Sequence, residues 1–285
     1  MALSSESASF PQKKASYSGA FFYGLAITLF VLLFDARLVL AGVCSPSLSG
    51  ETVHVKKVFD GDTVLLEDGR KVRLIGVNTP ETGKKGVASE PLADEAMREA
   101  RRFVSASRSV RILFETERAD RYGRSLAHLV NESGESLEKR LIDRGLGFSV
   151  TFPPNLAFRE CLQRAEDSAR RSRVGIWGMA YYEARPASAV TDQDAGFRRI
   201  KGKVEKISII DGKTWWLMLE GNVALQITKH NQPYFSVQSV KSLYGQSIEV
   251  KGWLTSRKLS EKQKKKQFKP MVMSLMHPDM ILVPH

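Results

Sequence analysis

The amino-acid sequence predicts two small β-barrels with packed helices, preceded by a targeting segment. Two observations predict this fold class. Short apolar runs with strand character recur between turn signals, and in each of two segments three such strands precede a helix and two further strands. A polar stretch without sustained periodicity separates the segments, and 285 residues are enough for two domains.

The first predicted barrel opens with three strands. They are expected near residues 53–58, 64–66 and 71–77. Asp68-Gly69 is a strong hairpin signal between the second and third strands. If these two residues form a two-residue turn, Val64 pairs with Arg73, and Asp62 and Arg73 become diagonal neighbours on one face.

The rest of this segment alternates helix and strand patterns. Apolar residues recur at helical spacing between residues 92 and 104, and Pro91 suits the first helical turn. Two strands near residues 110–114 and 126–130 follow, and then two helices near 137–144 and 158–169. Residues 51–180 are therefore interpreted as an antiparallel barrel with helices packed on it.

A second barrel is predicted after a linker. Residues 181–196 contain Pro186, small residues and two aspartates without a sustained period, which indicates a linker. Strands are then expected near residues 200–210, 214–219 and 223–227, a helix near 233–243, a strand near 248–254, and one or two strands within 271–283. This is the element order of an OB fold, so residues 197–285 are predicted to form a second, smaller OB-like barrel.

Positive charge is concentrated in the second predicted barrel. The formal net charge of +12 favours a polyanionic partner such as nucleic acid, or else an acidic membrane surface. Residues 197–285 contain 16 Lys and Arg against 6 Asp and Glu. Seven basic residues lie in the loop expected between the fourth and fifth strands: Arg257, Lys258, Lys262, Lys264, Lys265, Lys266 and Lys269.

This basic loop is a candidate nucleic-acid contact. OB folds commonly bind oligonucleotides with the same loop, so Lys264, Lys265 and Lys266 are predicted to bind substrate through phosphate contacts. The alternative is an ordinary solvated lysine loop. Trp215 and Trp216 are adjacent on a strand, so only one can point into the core. The other is a candidate base-stacking platform, and the sequence does not decide which.

The first 43 residues are interpreted as a targeting segment. Two lysines precede an apolar run that begins at Ala20, which is typical of an export signal. Cleavage after Ala41 is the favoured interpretation, because Asp35 and Arg37 interrupt the run before it reaches membrane-spanning length. The alternative is an uncleaved inner-membrane anchor. The protein is therefore expected to be exported, either periplasmic or secreted, or else anchored facing outside the cytoplasm.

The chain has two cysteines, Cys44 and Cys161. Cys44 does not stand in a lipoprotein context, because Val43 occupies the position where a small residue is expected. Cys161 falls on the apolar stripe of a predicted helix, so a buried thiol is favoured over a disulfide or a metal ligand.

Two polar clusters with an arginine between them suit phosphodiester chemistry. Asp60-Gly61-Asp62-Thr63 stands at the entry to one strand, and Asn78-Thr79-Pro80-Glu81 at the exit of another, with Arg73 between. Hydrolysis of a phosphodiester needs an attacking water, oxygen ligands for a hard cation, and positive groups for the phosphate oxygens. For the Asp62 and Arg73 pair alone, a structural salt bridge is the simpler interpretation.

The wider set of motifs resembles the thermonuclease, or staphylococcal-nuclease-like, family. The motifs are DGDT at 60–63, RLIGVNTPET at 73–82, KKGV at 84–87, DRYGRSLA at 120–127 and GIWG at 175–178. The resemblance covers residues 53–178 and implies an OB-type five-stranded barrel with a Ca²⁺ site. It also implies endonucleolytic cleavage of DNA and RNA with little sequence specificity, leaving 3′-phosphate ends.

The resemblance also implies the metal ligands. Asp62 and the backbone carbonyl of Thr79 would be direct calcium ligands. Asn78 stands where well-known members have a second metal-binding aspartate. It offers a neutral amide oxygen, so the sequence predicts activity with a raised calcium requirement.

The catalytic groups follow from the same resemblance. Glu81 would position or deprotonate the attacking water, while Arg73 and Arg124 would hold the phosphate and stabilise its developing charge. A forked guanidinium suits this task. Asp60 is interpreted as a residue that shapes the turn or supports the ligands.

Further residues are predicted to bind substrate. Lys84 and Lys85 belong to the matching motifs, and Tyr122 is expected to pack against the nucleotide or else within its own loop. Thr151 and Phe152 stand where the family has tyrosines. Phe152 keeps an aromatic face for stacking, but the hydroxyl contacts of the tyrosines are lost. This barrel is therefore expected to bind substrate more weakly.

The sequence therefore predicts an exported calcium-dependent endonuclease with DNA and RNA as substrates. The alternative is a non-catalytic nucleic-acid-binding protein on a nuclease-like barrel. Such degenerate barrels usually lose their charged site, whereas all four of its charged residues are present here: Asp62, Arg73, Glu81 and Arg124.

Overall fold

A computed structural model describes residues 44, 47–83, 86–107, 109–265 and 267–282. The segment interpreted as an export signal or anchor, residues 1–43, lies outside these residues. Within the described part of the chain, no helix is both long and apolar enough to cross a membrane.

The first sheet closes into a five-stranded barrel. Its strands are β1 (Gly50–Val53), β2 (Val55–Asp60), β3 (Thr63–Leu66), β4 (Lys71–Leu74), β6 (Val110–Leu113) and β7 (Ser125–Val130). Only His54 separates β1 from β2, so the two act as one bent strand that pairs with β6 at one end and β3 at the other. The order β1-β6-β7-β4-β3-β2 then closes the barrel, with β4 and β7 parallel.

Three helices and a short two-stranded sheet pack on this barrel. They are α1 (Ala93–Ser105), α2 (Leu137–Asp143), α3 (Arg159–Arg171), β5 (Val77–Asn78) and β8 (Phe148–Ser149). On α1, the buried residues Ala96, Ala100 and Phe103 recur at helical spacing. The buried Glu99 on the same helix accepts hydrogen bonds from Arg140 (2.6 Å) and Arg144 (2.7 Å). This charge cluster ties α1 to α2.

The hairpin register differs by one residue from the register that the sequence predicts. Arg73 pairs with Thr63, not with Val64. The turn is longer than two residues, because Leu66 N donates to Arg70 O at 2.9 Å and so brackets three residues. Asp62 and Arg73 nevertheless form an ion pair. Asp62 lies in the turn before β3, so the face to which its side chain points is not set by the alternation of side chains along the strand.

A disulfide joins Cys44 to Cys161, so the interpretation of Cys161 as a buried thiol is wrong. The bond fixes the chain that leads into β1 to α3, across a sequence separation of 117 residues. Cys44 is buried in the core of the first barrel. The apolar helical pattern correctly placed Cys161 near a core, but a single sequence does not show which groups from remote segments meet there.

The second sheet is also a closed barrel. Its strands are β9 (Arg185–Pro186), β10 (Gly196–Ser208), β11 (Trp215–Leu219), β12 (Val223–Ile227), β13 (Ser247–Ser256), β14 (Met271–Ser274) and β15 (Ile281–Leu282). The antiparallel pairs β10–β11 and β11–β12, the parallel pair β12–β14 and the antiparallel pairs β14–β13 and β13–β10 close a ring of five strands. This order matches the first barrel and is that of the OB-like fold expected from the sequence.

The second barrel has two short helices, α4 (Val237–Ser242) and α5 (Glu261–Lys265). The sequence predicts a longer helix at the first position and only a basic loop at the second. The helix expected from residue 233 begins only at Val237, because Ser236 caps it by accepting a hydrogen bond from Ser239 N at 3.4 Å. Before it, Gln232–Tyr234 form a separate 3₁₀ turn.

The segment predicted as a linker is ordered against the second barrel. Ala187 and Val190 are buried in the core of that barrel. Arg185 and Pro186 pair in parallel with β10, and Asn222 N donates to Ala187 O at 3.0 Å.

The two barrels make direct contacts through α3. Lys251 of β13 forms a buried ion pair with Glu166 of α3. Arg159 of α3 donates to Asp279 at 3.1 Å. Ser149 N donates to Glu166 Oε1 at 2.8 Å, and Ser149 belongs to β8, which pairs with β5. The second barrel is thereby linked through α3 to the strand that carries Asn78.

Candidate active site

The first polar cluster lies where β2 turns into β3. Asp60 is the last residue of β2, and Thr63 is the first residue of β3. Gly61 leaves room for the second cluster, since a Cβ atom there would lie 2.7 Å from Thr79 Cγ2 and 2.9 Å from Ala96 Cβ. A glycine at this position therefore allows the two polar clusters to approach each other.

Asp62 is the buried centre of the site, with 2% of its surface exposed. Its Oδ2 accepts a hydrogen bond from Thr79 N at 2.9 Å. Its Oδ1 accepts one from Thr63 Oγ1 at 3.1 Å and forms an ion pair with Arg73. These contacts hold the carboxylate between the two clusters.

Arg73 extends from β4 into the same cluster. Its Nη2 donates to Asn78 Oδ1 at 3.1 Å, and its Nη1 is paired with Asp62. Asn78 itself is fixed by the pairing of β5 with Phe148 of β8. The guanidinium thus contacts both of the side chains that the sequence predicts as calcium ligands.

The electrostatics of Arg73 show which charges surround it. Burial lowers the pKa of Arg73 to about 10, the negative charges of Asp60, Glu81 and Asp120 act to raise it, and the positive charge of Arg124 lowers it further. Arg73 still carries its charge at neutral pH. The structure therefore brings Arg73, Glu81 and Arg124, which the sequence predicts as catalytic, into one electrostatic neighbourhood.

Arg124 is held by a residue that sequence reasoning missed. Asp120 Oδ2 accepts from Arg124 Nε at 2.6 Å, and Asp120 Oδ1 accepts from the backbone N of Tyr122 and of Arg124, each at 2.9 Å. Burial alone would raise the pKa of Asp120, but these hydrogen bonds outweigh it and lower the pKa. The signal was present in the sequence, as an aspartate that opens a turn containing Gly123 and precedes Arg124 by four residues.

Glu81 lies in the exposed segment after Pro80. Glu81 N donates to Glu90 Oε2 at 2.9 Å, and Glu90 N donates to Glu81 O at 3.0 Å. This reciprocal bonding fixes the backbone that carries Glu81. Glu90 is a second supporting residue that the sequence analysis did not identify.

The donor chemistry of the cluster fits a hard cation such as calcium. Asp62, Asn78 and Thr79 offer carboxylate, amide and carbonyl oxygens, the ligand types that calcium prefers. Two further buried oxygens, Asp60 Oδ1 and Thr79 Oγ1, have no hydrogen-bond partner among the described residues. No three His, Cys, Asp or Glu side chains in the described ranges are arranged to hold a metal ion, so a cation here would need the mixed oxygen set.

The predicted substrate-binding residues of the first barrel have different surroundings. Tyr122 is 70% exposed, and its ring lies against Arg121 and Arg124 of its own loop at 4.9 and 5.7 Å. Phe152 instead contacts the second barrel, with its ring centroid 5.3 Å from that of Trp253. The neighbouring Thr151 is buried and donates to Asp279 at 3.2 Å. Part of the Phe152 ring, which the sequence predicts as a stacking face for substrate, therefore contacts the second barrel instead.

Several predicted lysine contacts concern residues that the structure does not describe. Lys84, Lys85 and Lys266 lie outside the described residues. Lys264 and Lys265 belong to α5 in the loop between β13 and β14, where the sequence placed the basic cluster.

The structure decides between the adjacent tryptophans. Trp215 points into the core of the second barrel with 7% of its surface exposed, whereas Trp216 is only partly buried. Trp216 is the one available at the surface.

Comparisons with known proteins agree with this fold and with these motifs. A family model described as "Staphylococcal nuclease homologue" matches residues 71–179. The chain is 35% identical over 136 residues to the thermonuclease of Staphylococcus intermedius, covering 47% of this chain and 80% of that protein. It is 33% identical over 130 residues to the thermonuclease of Staphylococcus hyicus, covering 45% and 76%.

A more distant relative is the endonuclease YncB of Bacillus subtilis strain 168. It is 28% identical over 134 residues, covering 46% of this chain and 63% of the relative. With the motifs, the barrel and these similarities in agreement, the chain belongs to the staphylococcal nuclease family.

Proposed function

We propose that this protein is an exported, calcium-dependent endonuclease that hydrolyses DNA and RNA with little sequence specificity and leaves 3′-phosphate ends. Family membership and the thermonuclease and endonuclease relatives support a hydrolytic nuclease. The observation that carries the proposal is the buried contact of Arg73 with Asp62 and Asn78, with the charges of Glu81 and Arg124 acting on the pKa of Arg73.

The chain's own groups suit in-line hydrolysis of a phosphodiester. Glu81 accepts a proton from water, whose oxygen attacks the phosphorus as the bond from phosphorus to the 5′ oxygen breaks. The leaving oxygen takes up a proton from solvent and becomes a 5′ hydroxyl, Glu81 releases its proton to solvent, and the phosphate stays on the 3′ side. Arg73 and Arg124 donate hydrogen bonds to the phosphate oxygens, where charge increases in the transition state.

Asp62, Asn78 and Thr79 would hold the cation. When bound there, calcium would neutralise charge on the phosphate. To hold the phosphate, Arg73 would exchange its contacts with Asp62 and Asn78 for contacts with phosphate oxygens. Asp62 and Asn78 would then be available as cation ligands.

Cleavage assays test the proposal directly. The full chain, expressed in an exporting host and purified, is incubated with plasmid DNA and with RNA in calcium, in magnesium or in chelator. We expect calcium-dependent fragments of both polymers that carry 3′-phosphate ends. A Glu81→Gln preparation is the control for contaminating nucleases. Binding without cleavage in any divalent metal would contradict the proposal and favour the non-catalytic alternative.

The disulfide supports export. Disulfides persist in oxidising compartments and are rare in the cytosol, and both cysteines of this chain are joined in one bond. Alkaline phosphatase becomes active only outside the cytoplasm. We therefore expect a fusion of this enzyme after residue 60 to be active in cells. N-terminal sequencing of the purified protein separates cleavage after Ala41 from an uncleaved anchor. A fusion that is inactive in cells and a chain that stays cytoplasmic would contradict export.

A further inference from the structure

An arginine on the second barrel lies between two aromatic rings. Arg257 follows β13, and its guanidinium carbon is 5.4 Å from the ring centroid of Trp216 and 5.5 Å from that of Phe268. Trp216 is the surface tryptophan of β11, and Phe268 is 38% exposed. The three side chains form a stack that reaches the surface, which we call the 216–257–268 stack.

The position of Arg257 is fixed by the loop that it closes. Its backbone N donates to Pro270 O at 2.9 Å, and its Nε donates to Lys269 O at 2.8 Å. These bonds continue the pairing of β13 with β14 by one residue beyond Ser256 and Met271. The guanidinium is therefore held in place before any ligand arrives.

One nitrogen of this guanidinium has no hydrogen-bond partner in the described part of the chain. Arg257 Nη2 is buried and makes no hydrogen bond to any residue in the described ranges. Burial also lowers the pKa of Arg257, and no carboxylate among the residues described here forms an ion pair with it. A buried cationic donor without a partner is costly, so the arrangement favours an anionic ligand.

The stack lies where an OB-type barrel binds oligonucleotides. Trp216 is on the second strand of the five-stranded ring, and Arg257 and Phe268 flank the loop between its fourth and fifth strands. The same loop carries the basic cluster, and residues 197–285 hold 16 basic against 6 acidic residues. This face therefore combines aromatic rings with positive charge.

We propose that the 216–257–268 stack is a binding site for single-stranded nucleic acid. A base stacks on the exposed ring of Phe268, and the positive charge of Arg257 beside that ring attracts a phosphate of the same strand. Duplex DNA is a poorer ligand, because its bases are already stacked on each other and do not offer a free face. The proposal rests on the proposed function only in assuming a nucleic-acid substrate, and it concerns binding apart from cleavage.

The test measures binding with cleavage blocked. The full chain from an exporting host is titrated, in chelator and at several salt concentrations, against a fluorescent 20-nucleotide oligothymidylate and against a duplex of equal length. We expect Phe268→Ala to weaken single-strand binding about tenfold and duplex binding less, because one base loses its stacking partner. Arg257→Gln should weaken single-strand binding and reduce its salt dependence by about one phosphate contact.

The matched control is Tyr244→Ala. Tyr244 is an exposed aromatic residue of the same barrel, 65% exposed, outside the stack, and its loss should leave binding unchanged. Urea unfolding of each variant checks that the fold is retained. If Arg257→Gln destabilises the barrel, the exposed Phe268→Ala variant still decides the question.

The outcomes separate this inference from the proposed function. Wild-type binding by a stable Phe268→Ala variant overturns the stack as a binding site, even if the protein cleaves DNA in calcium. Equal weakening for single strand and duplex overturns the preference for single strands. The same variants are also tested for binding to phosphatidylglycerol vesicles. If a stack variant binds the vesicles less well but still binds the oligonucleotide normally, nucleic acid is overturned as the ligand. Stack-dependent binding in a protein that never cleaves supports the inference and contradicts the nuclease proposal.

Discussion

At the scale of single residues, the site is a set of charges held by neighbouring polar groups. Asp62 is fixed by Thr79 N and Arg73, and Arg124 by Asp120. Two residues in this set provide direct tests. Asn78 offers the site a neutral oxygen, and Asp120 holds Arg124, through which it would act on a substrate.

Asn78→Asp should reduce the calcium concentration needed for half-maximal activity by about tenfold. The added negative charge lies on the side chain that contacts Arg73 at 3.1 Å and next to the Asp62 cluster, so it strengthens attraction for a cation. The measurement is nuclease activity as a function of calcium concentration. Asn131→Asp, which adds the same charge in the turn after β7, is the matched control. An unchanged calcium requirement in Asn78→Asp would count against Asn78 as a ligand.

Asp120→Asn should lower kcat about tenfold, or about 1.4 kcal/mol in activation free energy, with a smaller change in KM. An asparagine can still accept the backbone hydrogen bonds of the turn but loses the ion pair that orients Arg124 Nε. Asp143→Asn is the matched control. It removes the carboxylate from another ion pair between residues four apart, that of Lys139 with Asp143. Full kcat in Asp120→Asn would exclude a positioning role.

At the scale of elements, a buried histidine joins β7 to α2 and to the loop after β6. His128 Nε2 lies 2.7 Å from Glu115 Oε1, and His128 Nδ1 lies 3.2 Å from Glu138 Oε1. Burial alone would lower the pKa of His128, but the hydrogen bonds that its ring donates to Glu115 and Glu138 outweigh burial and raise the pKa above 6.5. The folded protein therefore binds this proton more tightly than the unfolded chain does.

The free energy of unfolding should fall as the pH rises from about 6.5 through the folded pKa of His128. A histidine with a raised folded pKa contributes its full stabilisation below the unfolded pKa and loses it above the folded pKa, at up to about 1.4 kcal/mol per pH unit. Urea unfolding from pH 6 to pH 9 measures this slope. His128→Gln should reduce it, and the exposed His54→Gln should not. Equal slopes in the wild type and His128→Gln would show that other groups cause the dependence.

At the scale of the whole molecule, the disulfide and the contacts between barrels hold distant parts of the chain together. The disulfide fixes the segment before the closing strand β1 to α3, and α3 also carries Glu166 against Lys251 of the second barrel. Removal of the second barrel would break the ion pair of Glu166 with Lys251 and remove the partners of Phe152 and Thr151. Point variants of that barrel are therefore better tests of substrate binding than truncation.

Reduction of the disulfide should lower the free energy of unfolding by about 4 kcal/mol, because a closed loop of more than 100 residues loses its constraint in the unfolded chain. Urea unfolding with and without dithiothreitol measures the effect. Since the chain has only two cysteines, the Cys44→Ala/Cys161→Ala variant should unfold like the reduced wild type and ignore the reductant. The same unfolding midpoint for oxidised and reduced wild type would disprove this stabilisation.

The sequence by itself determined most strands of both barrels, the family, and the candidate residues Asp62, Arg73, Glu81 and Arg124, but not their supporting partners Asp120 and Glu90. Strand and helix patterns depend on periodicity and turn residues close along the chain, which is why strands such as β12 were predicted at their observed positions. Motif spacing likewise placed Asp62 and Arg73 in one cluster. The hairpin register was wrong by one residue, because a pattern around Asp68-Gly69 does not specify how many residues the turn brackets.

Only the tertiary structure decided which residues far apart in the sequence contact each other. It paired Cys44 with Cys161, used Phe152 and Thr151 between the barrels, pointed Trp215 inward, and placed Arg257 between Trp216 and Phe268. The physical reason is the same in each case. These contacts depend on how closed barrels and helices pack in space, whereas a single sequence shows periodicity and local chemistry along one chain.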